Sequence, residues 1–443
     1  MNFRTRNLLC IAALAITSCE ASPEPEIPAF TDGGLLRNGT PLTREQLFLF
    51  EGMFKATQGQ DLLGSQIAVR TSPGTVSLLT DKNAGFSVLQ SACLPDRRVV
   101  LEGYWQYPTR VETGLVRLFV DPPAVAEKLC DGEKLDPDTD LKLTGSYGDG
   151  SEFPAEPISF QWTHELKPWR GTFFTVAHHG ACEITDHCGA SPNSIETVRL
   201  AERIGSNAAE LDVRVTRDGI PIFFHDPSLS GSLVKGTFCK GAVAELSLAE
   251  IRGSCQLQYG EQIPTVQEML DMMVDETELE GVYLDIKDPA AVEPVTRLVR
   301  KLDDSLKERN ENDDDSDDRR FGALVAIPNE GVLDAWHETK AKFADEGLEL
   351  PKCLLEWDAD IMLSEGCVAW GPTWTEGPKV ADVRKVQDAG AITIFWTINQ
   401  SEFIDRFLKD ARPNGIITAR ASLLFYRYQT IGSPPTPAVG TPQ

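Results

Sequence analysis

Two patterns of apolar and polar positions divide the chain near residue 170. From 35 to 169, short apolar runs alternate with turn residues, as around Val99-Val100-Leu101 and from Leu115 to Val120. Such runs, bounded by Gly, Pro, Asn and Asp, predict an antiparallel β-rich domain, either a sandwich or a small barrel. From 170 to 430, strand-like runs alternate with helical spacing, as in Val266 to Met273. This second pattern is typical of a parallel α/β barrel.

The second region contains most of the predicted elements that matter for function. Its predicted strands are Phe173–Ala177, Ala209–Val213, Pro221–Phe224, Gly281–Lys287, Phe321–Ile327, Lys352–Glu356 and Ile392–Thr397. Its predicted helices are a segment behind the cap Asn193-Ser194, Val266 to Met273, Val292 to Leu306, one through Trp336, and Val380 to Ala389.

Chemically reactive side chains coincide with strand ends in this region. His178 and His225 each follow an apolar run, and the carboxyl ends of strands form the catalytic rim of a parallel barrel. Glu210 and Asp212 are two residues apart on a predicted strand, so their carboxylates share one face. Such a pair suits Mg²⁺ or Ca²⁺. Each residue alone is as compatible with a solvated loop or a hydrogen-bonded core histidine. The repeated coincidence favours a site.

An ordered set of short motifs carries a family resemblance. The motifs are His178-His179-Gly180, Pro192-Asn193-Ser194, Glu210-Leu211-Asp212-Val213, Asp218-Gly219-Ile220-Pro221, His225-Asp226-Pro227, Ile263-Pro264-Thr265, Leu284-Asp285-Ile286-Lys287, Trp396-Thr397-Ile398-Asn399 and Gly415-Ile416-Ile417-Thr418. In this order they resemble the glycerophosphodiester phosphodiesterase family. Each motif alone is weak, and the set spans about Phe173 to Tyr428.

The resemblance implies a fold and an activity. The expected fold is a phospholipase C-like (β/α)₈ TIM barrel over 170–430, preceded by a smaller mainly-β domain of unknown role at 35–169. The expected activity is hydrolysis of a small glycerophosphodiester to glycerol phosphate and an alcohol. This reaction needs charge neutralisation and proton transfer.

The resemblance also implies roles for particular residues. A divalent ion, Ca²⁺ or Mg²⁺, would be held by the carboxylates of Glu210, Asp212 and Asp285, and His178 and His225 would act as general acid and base. The expected substrate-binding residues are His179, Lys287 and Trp396. The indole of Trp396 is as compatible with a place in the core as with a pocket wall.

Three positions depart from the family pattern. His179 stands where the family has Arg, which removes a permanently charged bidentate phosphate donor. Pro192 replaces a Glu, and Glu183 in the nearby loop is a candidate substitute for it. Asp285 replaces a Glu with a carboxylate that is one methylene shorter. We expect the core chemistry to be retained and the choice of substrate to be altered.

Two other functions compete with this interpretation. The two histidines and the Glu-x-Asp pair are also similar to those of phospholipase D-type sphingomyelinases, which act on intact choline lipids. The segments beginning at Trp396 and Gly415 favour the phosphodiesterase. The other alternative is a ligand-binding lipoprotein that has lost turnover, and the presence of all the acid, base and metal residues argues against it.

The N-terminal segment predicts export and lipid anchoring. Arg4 and Arg6 precede the apolar run from Leu8 to Ile16, and Cys19 follows, as in a bacterial lipoprotein signal. We therefore expect a signal peptide at 1–18, a lipidated Cys19, a tether at 19–34 and a location in the bacterial cell envelope, at the outer membrane or the periplasmic face. An ordinary cleaved signal peptide is the alternative. The formal net charge of −25 argues against nucleic-acid binding.

Cysteine usage agrees with an oxidising compartment. Eight cysteines remain after Cys10 and Cys19 are set aside, and they allow about 105 connectivities. Neighbouring cysteines fall within one module or loop, so we expect the sequential pairs Cys93–Cys130, Cys182–Cys188, Cys239–Cys255 and Cys353–Cys367. Reduced, buried thiols are the alternative for some of them. The acidic run at 311–318 is interpreted as a solvated loop and 431–443 as a disordered tail.

Overall fold

The computed structural model describes residues 27–133, 135, 139–312 and 321–431. The predicted signal peptide, Cys19, the first half of the tether, most of the acidic run and nearly all of the C-terminal tail lie outside these described residues. Within the described ranges, no helix combines the length and the apolar character needed to cross a membrane.

The first domain is a closed antiparallel barrel of eight strands. Each strand pairs with the next, and the last pairs with the first. Strands β1 to β8 are Gly52–Gln58, Gln66–Ser72, Thr75–Leu79, Phe86–Cys93, Val99–Gln106, Thr113–Asp121, Lys142–Tyr147 and Glu156–His164. The predicted mainly-β domain is confirmed. Because its last strand pairs with its first, it is a small barrel and not a sandwich.

Apolar side chains fill the interior of this first barrel. Phe54, Val69, Leu101, Leu118 and Phe160 come from different strands and are fully buried in one cluster. A small barrel closed by eight strands is just wide enough for its own side chains. Its interior is therefore a packed core. The helices that accompany it are Arg44–Phe48, Gln60–Leu63 and Pro123–Cys130, and the short strand Thr40–Pro41 pairs with β4.

The second domain is the parallel barrel that the alternation predicts. Strands β9 to β16 are Phe174–Ala177, Ala208–Val215, Gly281–Ile286, Gly322–Ile327, Cys353–Leu355, Ala369–Trp370, Ile392–Phe395 and Gly415–Thr418. The barrel closes because β9 pairs in parallel with both β10 and β16. Helices α1 to α8 are Ile195–Arg203, Val266–Glu276, Val292–Asn312, Glu330–Glu346, Ala359–Glu365, Val380–Asp388, Ser401–Asp410 and Ala421–Thr430. The predicted barrel of eight strands is confirmed.

One layer of buried side chains fills the interior of the second barrel. Each strand contributes one residue to it, and the set is Val176, Ala208, Tyr283, Ala326, Leu354, Ala369, Ile394 and Ile417. An interior filled in layers is the usual state of such barrels, and their active sites lie at the carboxyl ends of the strands. Polar chemistry is therefore expected only above this layer, at the rim.

An insertion of about fifty residues follows β10 and lies at the same rim. It contains the strand Pro221–Phe223, the helix Leu248–Ser254 and two short two-stranded sheets. A small apolar cluster of its own holds it together, with Ile222, Phe224 and Ile251 fully or almost fully buried. The insertion therefore has a core separate from that of the barrel.

All four predicted disulfides are present. They join Cys93 to Cys130, Cys182 to Cys188, Cys239 to Cys255 and Cys353 to Cys367. The second pair closes a short loop directly after His178, and the third fastens the insertion. Both lie in segments with few strands, where a disulfide limits the conformations that the chain can adopt.

The two barrels share an apolar interface. Outward-facing Met53, Leu79 and Phe86 of the first barrel belong to the same buried cluster as the helices of the second. Arg70 is buried between the barrels, with its guanidinium carbon 4.1 Å from the centroid of the Trp169 ring. Burial lowers the pKa of Arg70 to about 10, which leaves it charged at neutral pH. The interface fixes one barrel against the other.

Candidate active site

Strand register brings the predicted site residues together at one end of the second barrel. Asp212 of β10 lies beside Asp285 of β11, and Glu210 lies beside Tyr283. Pairing of Ala177 with Ala209 places His178, the next residue of the chain, beside Glu210. Because residues two apart share a face, both β10 carboxylates point the same way. The motifs that contain His178, Glu210 with Asp212, and Asp285 thus converge on one rim.

His225 reaches this rim by a different route from the one its sequence suggests. The strand before it, Pro221–Phe223, pairs antiparallel with β10 and is not a strand of the parallel barrel. The interpretation of His225 as the end of a rim-facing barrel strand is therefore wrong in its topology. Strand β10 runs past the rim, and the hairpin returns along it, so Phe224 donates its amide to the carbonyl of Asp212 at 2.9 Å. His225 therefore lines the same cavity as Glu210 and Asp285.

Three carboxylates lie buried together at the centre of the site. Oxygens of Glu210, Asp212 and Asp285 lie within 4.8 Å of one another. Burial raises the pKa of Glu210 well above its ordinary value, and the other two carboxylates raise it further. Burial also raises the pKa of Asp285, although Lys287 opposes the change. Neighbouring negative charges of this kind favour a bound cation.

Lys287 is the cation that faces the carboxylates. Its Nζ lies 2.5 Å from Oδ2 of Asp285 and 3.1 Å from Oδ1 of Asp212. Although burial opposes it, these carboxylates raise the pKa of Lys287. Burial raises the pKa of Asp212, but His179 and Lys287 lower it to about 2.

The loops around His179 orient the carboxylates by hydrogen bonds. The side-chain amide of Asn193 donates to Oδ2 of Asp212 at 2.8 Å and accepts from the Asp212 backbone amide at 3.0 Å. The backbone amide of His179 donates to Glu210 at 3.0 Å. His179 and Asn193 both have positive φ, 50° and 62°. These sparsely populated conformations are maintained by the contacts that aim the carboxylates.

A carboxylate fixes the ring of His178. Nδ1 of His178 lies 3.2 Å from Oε1 of Glu183, and this hydrogen bond is the main reason that the pKa of Glu183 falls to about 2. An ionised carboxylate can only accept hydrogen bonds, so Nδ1 of His178 carries the proton of the ring. Nε2 of His178 faces the site and lies 3.9 Å from Glu210. Glu183, a candidate substitute for the Glu missing at Pro192, therefore has a different partner.

The loop that carries Glu183 is anchored to the last strand-to-helix connection. Asp186 accepts two hydrogen bonds from Arg420, at 2.5 and 3.0 Å, and one from the backbone amide of Glu183 at 2.8 Å. Asp186 and the guanidinium of Arg420 are largely buried. A bidentate pair of this kind fixes geometry as well as contributing energy. Together with Cys182–Cys188 it fixes the position of the His178 partner.

His179 packs inside the site. Its ring stacks on His178 with centroids 3.7 Å apart, and its Nε2 lies 3.2 Å from Oδ2 of Asp212. Burial lowers its pKa to about 4, so the ring is neutral at neutral pH. It therefore does not supply the permanent positive charge of the Arg that the family motif has here.

A cavity of about 370 Å³ is lined by seven of the eight predicted site residues. His178, His179, Glu210, His225, Asp285 and Lys287 line it, and so does Trp396. The indole of Trp396 is half-buried, donates Nε1–H to the carbonyl of Gly371 at 2.6 Å and also packs against the interior layer. Trp396 therefore both lines the pocket and packs against the core, the two places that the sequence left open. Nδ1 of His225 lies 2.7 Å from Asp226, which fixes that ring in the same way as His178.

Glu356 is a residue of this cavity that the sequence analysis did not single out. It follows β13 directly, and its carboxyl is hydrogen-bonded to the hydroxyl of Tyr283. Burial, together with the charge of Asp285, raises the pKa of Glu356 to about 8. The strand-end rule that drew attention to His178 applies equally to Glu356 and would have found it.

The carboxylate cluster fits a divalent cation. Oδ1 of Asp285 accepts no hydrogen bond from the described residues, and Oδ1 of Asp212 has only the Lys287 ammonium nearby. Both carboxyls are buried. Buried carboxylate oxygens that receive no hydrogen bond are rare unless an ion or a water molecule binds to them. The donor set is all oxygen, which suits Mg²⁺ or Ca²⁺ better than a thiolate-binding metal.

Part of the chain matches a known protein family. Residues 186–325 match the model of the "Glycerophosphoryl diester phosphodiesterase family". "Probable glycerophosphodiester phosphodiesterase 2" of Mycobacterium tuberculosis is 29% identical over 252 residues, which cover 52% of this chain and 83% of the relative. Human "Glycerophosphodiester phosphodiesterase 1" is 32% identical over 101 residues, which cover 23% of this chain and 28% of the relative.

Solved structures align with part of the chain. A glycerophosphodiester phosphodiesterase from Parabacteroides distasonis aligns with a TM-score of 0.43 at 16% identity, over 58% of this chain and 99% of that one. A phosphodiesterase from Oleispira antarctica, solved with the product sn-glycerol-3-phosphate, aligns with a TM-score of 0.42 at 17% identity, over 58% and 96%.

The sequence matches establish the class of protein. The chain is an enzyme, a phosphoric diester hydrolase of the glycerophosphodiester phosphodiesterase-like kind. The family resemblance of the motifs is confirmed over the matched residues, which include Glu210, Asp212, His225, Asp285 and Lys287.

The raised pKa of Glu356 predicts a pH dependence of stability. The folded chain keeps this carboxyl protonated up to about pH 8, whereas an ordinary carboxyl loses its proton near pH 4.5. The free energy of unfolding should therefore fall as the pH rises from about 4.5 to about 8. Glu356→Gln, which cannot ionise, should reduce that fall by an amount on the order of a few kcal/mol.

Urea denaturation in EDTA at pH 5 and pH 8.5 measures the effect. Glu349→Gln is the matched control, because the Glu349 side chain is 91% exposed. An equal loss of stability in the Glu356→Gln variant and the unmodified protein would contradict the assignment.

Proposed function

We propose that this enzyme hydrolyses glycerophosphodiesters to glycerol phosphate and an alcohol, with a divalent ion and two histidines. The observation that carries the proposal is the convergence of His178, His225, Glu210, Asp285 and Lys287 on one cavity. The carboxylate of Asp212 lies within 4.8 Å of those of Glu210 and Asp285. The curated relatives named above are glycerophosphodiester phosphodiesterases, which supports the same substrate class.

Glu210, Asp212 and Asp285 would hold the ion. When bound, it would supply positive charge to a phosphate oxygen and to the water that attacks the phosphorus. Lys287 would add a further positive charge beside the phosphate, where negative charge develops in the transition state. Ca²⁺ and Mg²⁺ both satisfy the oxygen donor set.

The two histidines would divide the proton transfers. His178 lines only the smaller cavity, and its Nδ1–H is held by Glu183, so Nε2 is free to accept the proton of the attacking oxygen. His225 borders a second cavity as well, so we assign it the donation of a proton to the departing alcohol. Glu183 and Asp226 act as positioning residues that hold the two rings.

Release of glycerol phosphate from glycerophosphocholine tests this proposal. Activity should disappear in EDTA and return with added Ca²⁺ or Mg²⁺. His178→Ala or His225→Ala should lower kcat by about 10²- to 10⁴-fold in a folded protein, the range typical for loss of a general acid or base. His337→Ala is the control, since His337 is on α4 and pairs with Glu365.

Three outcomes separate the alternatives. An active His225→Ala enzyme would refute the acid–base assignment. Cleavage of intact choline lipid but not of the deacylated diester would favour the sphingomyelinase-like reaction. No turnover of either substrate with any metal, by a chain shown to be folded, would favour a binding role.

We also propose that the enzyme is exported and lipid-anchored through Cys19 in the bacterial cell envelope. The basic residues, apolar run and Cys19 support this. Cys19→Ser should move the full chain from the membrane fraction to the supernatant of lysed cells. Retention of the variant in the membrane fraction would contradict the anchor.

A further inference from the structure

A second cavity of about 550 Å³ lies next to the one that holds the carboxylates. His179 and His225 line both cavities and form the wall between them. A phosphodiester has two esterified groups, one on each side of the phosphorus. A phosphate placed at this shared wall would therefore direct one group into each cavity.

The smaller cavity suits the glycerol phosphate half. Its lining includes two of the three buried carboxylates, those of Glu210 and Asp285, and Lys287, Asn329 and Glu356. These side chains offer hydrogen-bond donors and acceptors to a phosphate and to hydroxyl groups. The larger cavity is then left for the departing alcohol.

The larger cavity combines apolar walls with negative charge. Ile184, Phe224, Leu233 and Leu257 are apolar lining residues, and Tyr259 adds a second aromatic ring. The charged lining residues are Glu183, Asp186 and Asp226. Among the described residues that line this cavity there is no Lys and no Arg. Arg420 compensates Asp186 from outside the lining, so the negative charge that remains comes from Glu183 and Asp226.

Two of the three departures from the family motifs line this larger cavity. His179 replaces an arginine, whose charge is permanent, and Pro192 replaces a glutamate with an apolar ring. The third departure, Asp285, lines only the smaller cavity. The chain therefore differs from the motif pattern mainly where the alcohol would lie.

The walls of the larger cavity are fixed before any ligand binds. Ser191, in the loop after Cys188, donates its amide and hydroxyl to Glu261 of the insertion at 2.8 and 2.7 Å. The disulfides Cys182–Cys188 and Cys239–Cys255 hold the loop and the insertion internally. A pre-formed pocket of this size with a few polar groups is typical of a small-molecule site.

We propose that this cavity is the leaving-group site and that it selects a small cationic alcohol of the choline or ethanolamine type. Aromatic rings and carboxylates together recognise ammonium groups, through cation–π and charge interactions. The inference rests on the proposed function, because it assigns the second half of the same substrate.

A substrate series that shares glycerol phosphate tests the selection. The kcat/KM for glycerophosphocholine and glycerophosphoethanolamine should exceed that for glycerophosphoglycerol by about tenfold, equivalent to about 1.4 kcal/mol. Equal values for the cationic and neutral alcohols would overturn the inference while leaving the proposed function intact.

A positive charge introduced into the lining of the larger cavity tests whether the cationic alcohol binds there. Ile184→Lys puts a cation at a lining position that is 49% exposed. Ser232→Lys puts one at a second exposed lining position. Each should lower the ratio of kcat/KM for glycerophosphocholine to kcat/KM for glycerophosphoglycerol by about tenfold. Leu348→Lys is the matched control, because Leu348 is similarly exposed and lies before β13, at the opposite end of the barrel.

Binding of the alcohol itself provides a readout that needs no turnover. Calorimetric titration should detect choline, but not its uncharged carbon isostere, and Ile184→Lys should weaken the binding of choline. If no diester is cleaved but choline binds in this way, the proposed function fails and the cation site stands. If choline and the isostere bind alike, or if Leu348→Lys has the same effect as Ile184→Lys, the inference is wrong.

Discussion

Repulsion among three buried carboxylates is the constraint on which this active site depends. Glu210, Asp212 and Asp285 lie within 4.8 Å of one another in the mouth of a barrel, where burial favours their neutral forms. The strand register that closes the barrel makes this proximity unavoidable, since Asp212 and Asp285 are direct neighbours across β10 and β11. Positive charge must therefore be supplied here, by Lys287 and by the divalent ion that we propose.

The rest of the rim holds these charges and the histidines at fixed positions. Asn193 orients Asp212, and Glu183 orients His178. Glu183 is in turn fixed by a disulfide and by the Asp186–Arg420 pair, which joins residues 234 apart in the chain. Rings and carboxylates that are held by such partners need little reorganisation during a reaction. His179 and His225 line both of the cavities that we propose for the two halves of a diester.

The local patterns in the sequence predict much of this structure. Apolar runs locate six of the eight barrel strands, and the motif that begins at Gly415 marks a seventh. Cysteine spacing gives the disulfides, and the motif set finds the rim residues. Ala369–Trp370 escapes detection because two residues are too few to show a period. The antiparallel return before His225 and the partners Asp186 and Arg420 depend on tertiary contacts that no local pattern records. Closure of the first barrel depends on pairing between β1 and β8, which are about a hundred residues apart.

The central claim is that Glu210, Asp212 and Asp285 hold one divalent ion beside the substrate phosphate. A crystal structure with Mn²⁺ and sn-glycerol-3-phosphate, recorded at the manganese absorption edge, tests it most directly. Our account predicts a single anomalous peak coordinated by these three carboxylates and by a phosphate oxygen, with the glycerol in the smaller cavity. A peak elsewhere, such as between His179 and His225, or a phosphate bound away from the carboxylates, would contradict it.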